Sequence, residues 1–194
     1  KLQKRDNRTL FTKAAFDKPY ENENSFGATY GEHREALEFG PVHSSQPRFN
    51  MLHREAEESV LPFCLESGIG VIPHSVLAKG LLAGKYRPGH EFPKDDQRHD
   101  WGYYHGDDFE RIFAVAERLK HWAIDQGHDL LQLALAWPLA HPAVTSSIVG
   151  IRTPEQAQRN AAAGDWELSP GDLAEIEEIQ GDLRLSALEF LDGP

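Results

Sequence analysis

Cysteine is nearly missing from this chain of 194 residues, with Cys64 standing alone. A lone thiol excludes an internal disulfide and a thiolate zinc cluster, and it suits a reducing, cytoplasmic setting. Methionine is as scarce, and the first residue is Lys1, so the chain is expected to begin partway through a longer one. Long apolar runs are also absent. Nowhere do about 18 apolar residues follow one another, so no segment is built to span a bilayer. The opening Lys1-Leu2-Gln3-Lys4-Arg5-Asp6 has no apolar stretch behind its charges, and no signal peptide is expected. Positive charge is in short supply: 20 Lys and Arg face 31 Asp and Glu, for a formal net charge of −11. That balance weighs against nucleic acid or an anionic membrane as a partner, because phosphates meet repulsion wherever no local basic patch intervenes.

What is present is the composition of a folded protein. With 40% hydrophobic and 26% charged residues the chain can bury a core, and its length permits one domain or two small ones. Thr9–Phe16 is a short apolar run suited to a buried strand, ended by Asp17-Lys18-Pro19, and residues 18–31 read as loop. Glu32–Phe39 reads as a helix stopped by Gly40-Pro41, with a possible strand at Val42–Gln46. From Arg54 a helix is expected with Ala56, Val60, Leu61, Phe63 and Cys64 on one face, closed by Gly68 and followed by the apolar strand Gly70–Pro73. Residues 87–106 form a long loop without periodicity, a length that usually carries function. Helices are expected over Asp107–Asp125 and Asp129–Ala140, the second broken by Pro142, and then a strand at Val144–Val149. Thr153-Pro154-Glu155-Gln156 and Ser169-Pro170-Gly171-Asp172 each open a helix, the latter burying Leu173, Ile176 and Ile179. The tail 184–194 is expected to pack loosely. Apolar strands separated by helices predict an α/β fold with a parallel sheet.

Chemistry concentrates at two strand exits. One is His74-Ser75-Val76-Leu77-Ala78-Lys79-Gly80-Leu81-Leu82-Ala83-Gly84-Lys85-Tyr86, with a hydroxyl, small residues and two lysines. The other is Gly150-Ile151-Arg152-Thr153-Pro154, where a strand feeds a helix N-terminus. Glycine lets backbone approach a phosphate, a helix start offers N–H groups and the positive end of its dipole, and arginine adds a bidentate fork. On spacing alone, solvated surface charge explains Lys79, Lys85 and Arg152 equally well.

Three ordered segments resemble a known family. Gln46-Pro47-Arg48-Phe49-Asn50-Met51-Leu52-His53-Arg54-Glu55 is similar to its Gln-x-x-Tyr-Asn-x-Leu-x-Arg-Glu segment, and His74–Tyr86 to its Tyr-Ser-Pro-Leu-x-x-Gly-Leu-Leu-x-Gly-Lys-Tyr. Ile148-Val149-Gly150-Ile151-Arg152-Thr153-Pro154-Glu155-Gln156, with Asn160 one helical turn on, resembles its closing Ile-Pro-Gly-x-(Arg/Ser)-x-x-x-Gln-x-x-x-Asn. The family is the aldo-keto reductases, NADPH-dependent (β/α)8 barrels, in its bacterial and potassium-channel-β-like branches. The likeness runs from Gln46 to about Gln180.

The resemblance implies a single barrel domain over 1–194, NADPH as cofactor, and hydride transfer to the carbonyl of a small aldehyde or ketone. It implies that Gln46 holds the nicotinamide amide and that His74 replaces an aromatic stacked on the ring. Ser75, Leu77, Lys79 and Lys85 would line the pyrophosphate channel. Gly150 and Arg152 would receive the adenosine end, with Arg152 on the 2′-phosphate and Gln156 and Asn160 at the adenine. Phe11-Thr12-Lys13-Ala14-Ala15 resembles the third barrel strand, making Lys13 the catalytic lysine. A lysine at a barrel mouth is costly to bury unless paired, which fits such a role.

The likeness also breaks. The family's aspartate and tyrosine acid precede the matched part, and no strand bearing its histidine is found between Lys13 and Gly31, so the first, second and fourth strands are not seen. Gly27-Ala28-Thr29-Tyr30 stands where the family has Gly-x-Ser-Asn. A rival reading follows: a non-catalytic nucleotide-binding or interaction protein of the same fold, lacking the acid. Tyr20 reads as a loop tyrosine rather than a replacement acid. His90, His99 and His105 lack the tight spacing of a metal site, and no metal is expected. The long loop is either a cofactor cover, with Trp101, Tyr103 and Tyr104 shaping the substrate pocket, or solvated. Cys64, Trp122 and Trp137 are expected in the core, and His43, His53 and His121 at the surface.

Overall fold

The structure, a computed structural model, describes residues 30–100, 104, 106–181 and 183. Lys13, Tyr20, Gly27, the Thr9–Phe16 strand, Trp101, Tyr103, His105 and the 184–194 tail lie outside the described residues.

Three consecutive extended segments lie side by side, all pointing the same way. β1 (Ser44–Ser45) pairs in parallel with β2 (Gly70–Val71), Ser44 opposite Gly70 and Ser45 opposite Val71. The pairing continues to a parallel bridge between Arg48 and His74. Gly70, Ile72 and His74 donate their N–H groups to the carbonyls of His43, Ser45 and Pro47, at 3.1, 2.8 and 3.1 Å. On its other side Val71 bonds Ala143 O and accepts from Thr145 N, both at 2.9 Å, and Ile148 N reaches Pro73 O at 2.9 Å. Four residues, 145 to 148, therefore stand against three, 71 to 73. This bulge explains why the expected strand at 144–149 pairs without forming a regular ladder.

Alternation sorts the side chains. Ser45, Pro47, Val71 and Pro73 are buried, while Gln46, Arg48, Ile72 and His74 are exposed or half-buried on the opposite face. The buried side meets helices. α1 (Tyr30–Phe39) begins two residues before the expected start, and its Tyr30 ring sets edge-on against Phe63 at 5.0 Å. His33 Nε2 meets the Ser45 hydroxyl at 2.8 Å beneath that helix. Cys64 is fully buried, as expected of a core thiol, and burial raises its pKa.

The helix expected from Arg54 is interrupted. A 3-10 turn at Glu55–Glu57 precedes α2 (Val60–Glu66), with Ser59 between them at φ −147°. Pro62 supplies the reason: deep in one long helix it would forfeit a hydrogen bond and clash with the preceding turn, whereas restarting at Val60 puts it in a first turn. Ala56, Leu61 and Cys64 stay buried across the break.

α3 (Gly106–Asp125) and α4 (Leu130–Leu139) follow the expected pattern. Asp129 caps α4 through Gln132 N at 2.9 Å, and the Gln132 side chain returns the bond to Asp129 N at 3.2 Å. α4 stops two residues before His141, whose backbone is restricted by Pro142. Trp122 and Trp137 are both core residues. α5 (Pro154–Ala162) starts at the Thr153 cap, but the bond is not reciprocated, since Gln156 Oε1 accepts from Arg152 N at 2.8 Å instead. α6 (Pro170–Gln180) has a reciprocal Ser169–Asp172 box and packs on α3, where Trp122 Nε1 donates to Glu175 at 2.7 Å.

Candidate functional site

In a parallel sheet every strand delivers its exit loop to the same edge, where the carboxyl ends gather whatever those loops carry. Here that edge holds Gln46 and Arg48 after β1, His74–Lys85 after β2, and Gly150–Arg152 after the bulged third segment. Apolar packing ties the last two together: Val76, Leu131, Leu135 and Ala163 form a small buried cluster, with Leu77 and Val149 packed against it. Lys79, Lys85, Gly150 and Arg152 are exposed, and Ser75, Leu77, Gln156 and Asn160 are half-buried.

The β2 exit is a strained turn. Ser75, Ala78 and Lys79 have φ of 56°, 46° and 57°, a left-handed region that L-residues enter only when their surroundings compel it. Three restraints do so. Asn50, fully buried, donates Nδ2 to Ser75 O at 2.9 Å. Tyr104 donates its hydroxyl to Lys79 O at 3.0 Å. Gly80 adopts φ 110°, and a Cβ there would stand 2.9 Å from Tyr86 Cε2.

Part of the long loop packs over this turn, through the buried Phe92 and Tyr104, while residues 87–91 and 93–95 are exposed. Tyr86, His90, Phe92 and Tyr104 meet ring to ring at 4.7–5.8 Å. Arg98 stacks on Tyr86 and Phe92, donates to the Tyr86 hydroxyl, and binds Asp96 through Nε at 2.8 Å. The Arg98 guanidinium holds the Asp96 carboxyl down to about 2. Tyr104 is 2% exposed, so it cannot shape a substrate pocket as expected; its ring is core and its hydroxyl is occupied by Lys79 O.

Charge at the edge is positive although the protein is acidic. Burial lowers the His74 pKa, and Arg48 and then Lys79 lower it further. Lys79, though exposed, is also lowered, by partial desolvation of its ammonium first and by the Arg48 charge second. His53, expected at the surface, is instead fully buried. Asn50 Oδ1 lies 3.1 Å from its Nδ1 and also accepts from Leu52 N and His53 N at 2.9 and 3.0 Å. Burial, helped by the Arg48 charge, presses its pKa to about 3, so it is a neutral structural imidazole.

At the α5 start, the Glu155 carboxylate accepts from its own backbone N–H and from the Thr153 hydroxyl, which lowers its pKa. An anion approaching there meets Arg152 at the rim, because Glu155 already occupies the helix terminus. Tyr30 sets its ring edge-on against Phe63, at 5.0 Å. Among the described residues no group of three or more His, Cys, Asp or Glu side chains could hold a metal ion. Nor is any helix among them long and apolar enough to cross a membrane.

Two residues were not assigned from the sequence. Arg48 occupies a variable position of its motif, yet the two-residue spacing from Gln46 was a signal that both share one strand face. Asn50 matches the fixed Asn of its motif, but its role in holding Ser75, 25 residues away, had no local signal.

A parallel α/β sheet with this strained, basic carboxyl edge defines the class, and the comparisons give the family. The aldo/keto reductase family model matches residues 26–180, and the chain belongs to that family. Aldo-keto reductase YhdN of Bacillus subtilis is 30% identical over 140 residues, covering 72% of this chain and 42% of that protein. L-glyceraldehyde 3-phosphate reductase of Escherichia coli O157:H7 is 32% identical over 154 residues, covering 75% and 44%. Among solved structures, the glycerol dehydrogenase AKR11B4 of Gluconobacter oxydans superposes with a TM-score of 0.73 at 25% identity, covering 77% of this chain and 46% of that one. The chain thus spans less than half the length of each of these relatives.

Proposed function

We propose that these residues are the cofactor-holding part of a (β/α)8-barrel reductase, with 1–194 in one domain, that moves a hydride from NADPH to the carbonyl carbon of a small aldehyde or ketone. The observation carrying the reading is the convergence of Gln46, His74–Lys85 and Gly150–Asn160 on one carboxyl edge, joined by the parallel bridge and the Val76–Val149 cluster. The residues fit a dinucleotide: a strained turn with lysines for the diphosphate, and an exposed arginine beside an open glycine for a terminal phosphate. When bound, the nicotinamide supplies the hydride.

Gln46 holds the carboxamide, and the half-buried His74, uncharged at neutral pH, offers a flat face to the ring. Ser75, Leu77, Lys79 and Lys85 line the diphosphate path. Arg152 pairs with the 2′-phosphate, while Gln156 and Asn160 face the adenine. The Gln156 carbonyl is already engaged by Arg152 N, leaving its amide N–H groups for the base. Lys13 acts beside the proton donor, its charge lowering that acid's pKa. The placement is cytoplasmic, with neither nucleic acid nor membrane as partner.

Arg152→Ala is expected to weaken NADPH about 10- to 100-fold and NADH hardly at all, because one charge-assisted bidentate contact is lost. Equal loss for both cofactors overturns the 2′-phosphate assignment. The packing of Tyr30 on Phe63 favours a second reading, in which the carboxamide contacts are incomplete and the chain binds nucleotide without turnover. Carbonyl-dependent loss of reduced-nicotinamide absorbance separates the two.

A further inference from the structure

Residues 49–54, which follow β1, are pinned at three points by helices that lie far along the chain. Phe49 sets its ring against Trp137 of α4 at 5.0 Å. Gln180 of α6 donates Nε2 to Met51 O, and both residues are buried. Arg54 lies over the Trp137 ring at 5.1 Å and donates to Glu57 at 2.9 Å and to Glu177, 123 residues on. Burial opposes the Arg54 charge, but the Glu177 and Glu57 carboxylates outweigh it and raise its pKa. Glu177 and Gln180 share one stripe of α6 with Leu173 and the fully buried Ile176, at the i, i+3, i+4, i+7 spacing of a single helix face.

Asn50 lies between these pins. Its main chain exchanges hydrogen bonds with His53 in both directions at 3.1 Å, which closes 50–53 into one unit, and its Nδ2 reaches Ser75 O at 2.9 Å. Whatever displaces Met51 therefore displaces the Asn50 amide with it.

We propose that Glu177 and Gln180 of α6 are positioning residues for the cofactor-holding turn, pinning the 50–54 loop so that Asn50 keeps Ser75–Lys79 in its left-handed form.

The physical argument is that a strained turn lasts only while its restraints do. Ser75, Ala78 and Lys79 all stand at positive φ, a conformation that relaxes once the surroundings stop enforcing it. A shift of about 1 Å in the 50–54 loop carries the Asn50–Ser75 bond beyond hydrogen-bonding reach. The Glu177 side chain is 44% exposed, so truncating it opens no cavity in the core. Arg54 then keeps Glu57 and the Trp137 ring, so what is lost is the tether rather than the fold.

This inference deepens the cofactor reading and rests on it for what the turn holds, but the link from α6 to the turn is measured without cofactor. Amide hydrogen exchange of the whole chain, read by mass spectrometry over residues 75–82, reports the turn, and calorimetric titration with NADPH reports the consequence. In Glu177→Ala, and in Gln180→Met, which keeps the volume but loses the donor, exchange over 75–82 is expected to quicken about tenfold and NADPH to bind about tenfold more weakly. Glu177→Gln, which leaves an acceptor oxygen for Arg54, is expected to return part of both losses. Asn50→Ala loosens the turn by itself, and adding Glu177→Ala to it is expected to change 75–82 no further, because the link is already cut. A merely structural helix contact would loosen α6 and leave 75–82 as in the parent. Unchanged exchange over 75–82 in cooperatively melting Glu177→Ala and Gln180→Met variants, or effects that add to those of Asn50→Ala, overturns the proposal. If the exchange is coupled but the parent chain binds no NADPH, the cofactor reading falls and the link stands. If NADPH binds and the exchange is not coupled, the reverse holds.

Discussion

Replacing Asn50 by alanine tests whether the strained turn is held from the neighbouring strand exit. Asn50 is fully buried and makes four polar contacts: Oδ1 with Leu52 N, His53 N and His53 Nδ1, and Nδ2 with Ser75 O. His53 N retains a second acceptor, the Asn50 main-chain oxygen at 3.1 Å, so it loses least. Ser75 O likewise keeps Ala78 N as a donor at 2.8 Å, so the group stranded by the truncation is chiefly Leu52 N. A buried polar group left without a partner costs roughly 1–3 kcal/mol, so about 2 kcal/mol of stability should go. For a domain of this size that lowers Tm by roughly 4–8 °C, read by circular dichroism or by the tryptophan fluorescence. A local effect accompanies it. Lys79-Gly80 and Lys85-Tyr86 are tryptic bonds within or beside the turn, and loss of the Asn50 Nδ2 bond to Ser75 O should speed cleavage at both. A variant that melts within a degree or two of the parent, with the same cleavage pattern, refutes the claim that Asn50 holds the turn.

Two further perturbations follow from single residues. His53 titrates near 6.5 in the unfolded chain but only at about 3 when folded, so below pH 6.5 the unfolded state binds the extra proton. Stability is full above that pH and should fall by roughly 2 kcal/mol by pH 5, and His53→Gln should remove that part of the slope in urea titrations at several pH values. An unaltered slope would mean that His53 does not govern the acid lability. Gly80→Ala meets both an unfavourable φ of 110° and a Tyr86 ring held by Arg98, His90, Phe92 and Tyr104. It should cost about 2 kcal/mol or more, part of it returned in Gly80→Ala/Tyr86→Ala, where only the clash is relieved. An unchanged melting temperature for the single variant would show that the turn adapts.

Local rules carried much of the architecture. Asp129, Thr153 and Ser169 cap helices where their spacing to Gln132, Gln156 and Asp172 predicts, because capping is settled within four residues. The apolar run Gly70–Pro73 forms the middle strand for the same reason of short range. The break before α2 was missed, because the apolar spacing from Ala56 to Cys64 reads as one helix and Pro62 was not weighed against it. The third segment's bulge was missed too, since it arises from how 145–148 must fit against 71–73.

His53 and Tyr104 show where local reading stops. Both are polar-tipped side chains in polar stretches. His53 is held by Asn50, which is itself tied to Ser75 25 residues on, and Tyr104 reaches Lys79 O 25 residues back. The sequence by itself determined where most helices and their caps lie and, through three ordered motifs, which family the chain belongs to. The tertiary structure decided that Arg48 shares an edge with His74 and Lys79, and that Tyr104 supports the turn instead of lining a pocket. Hydrogen bonding within a helical turn depends on near neighbours, whereas burial and the gathering of like charge depend on which segments the sheet register sets side by side.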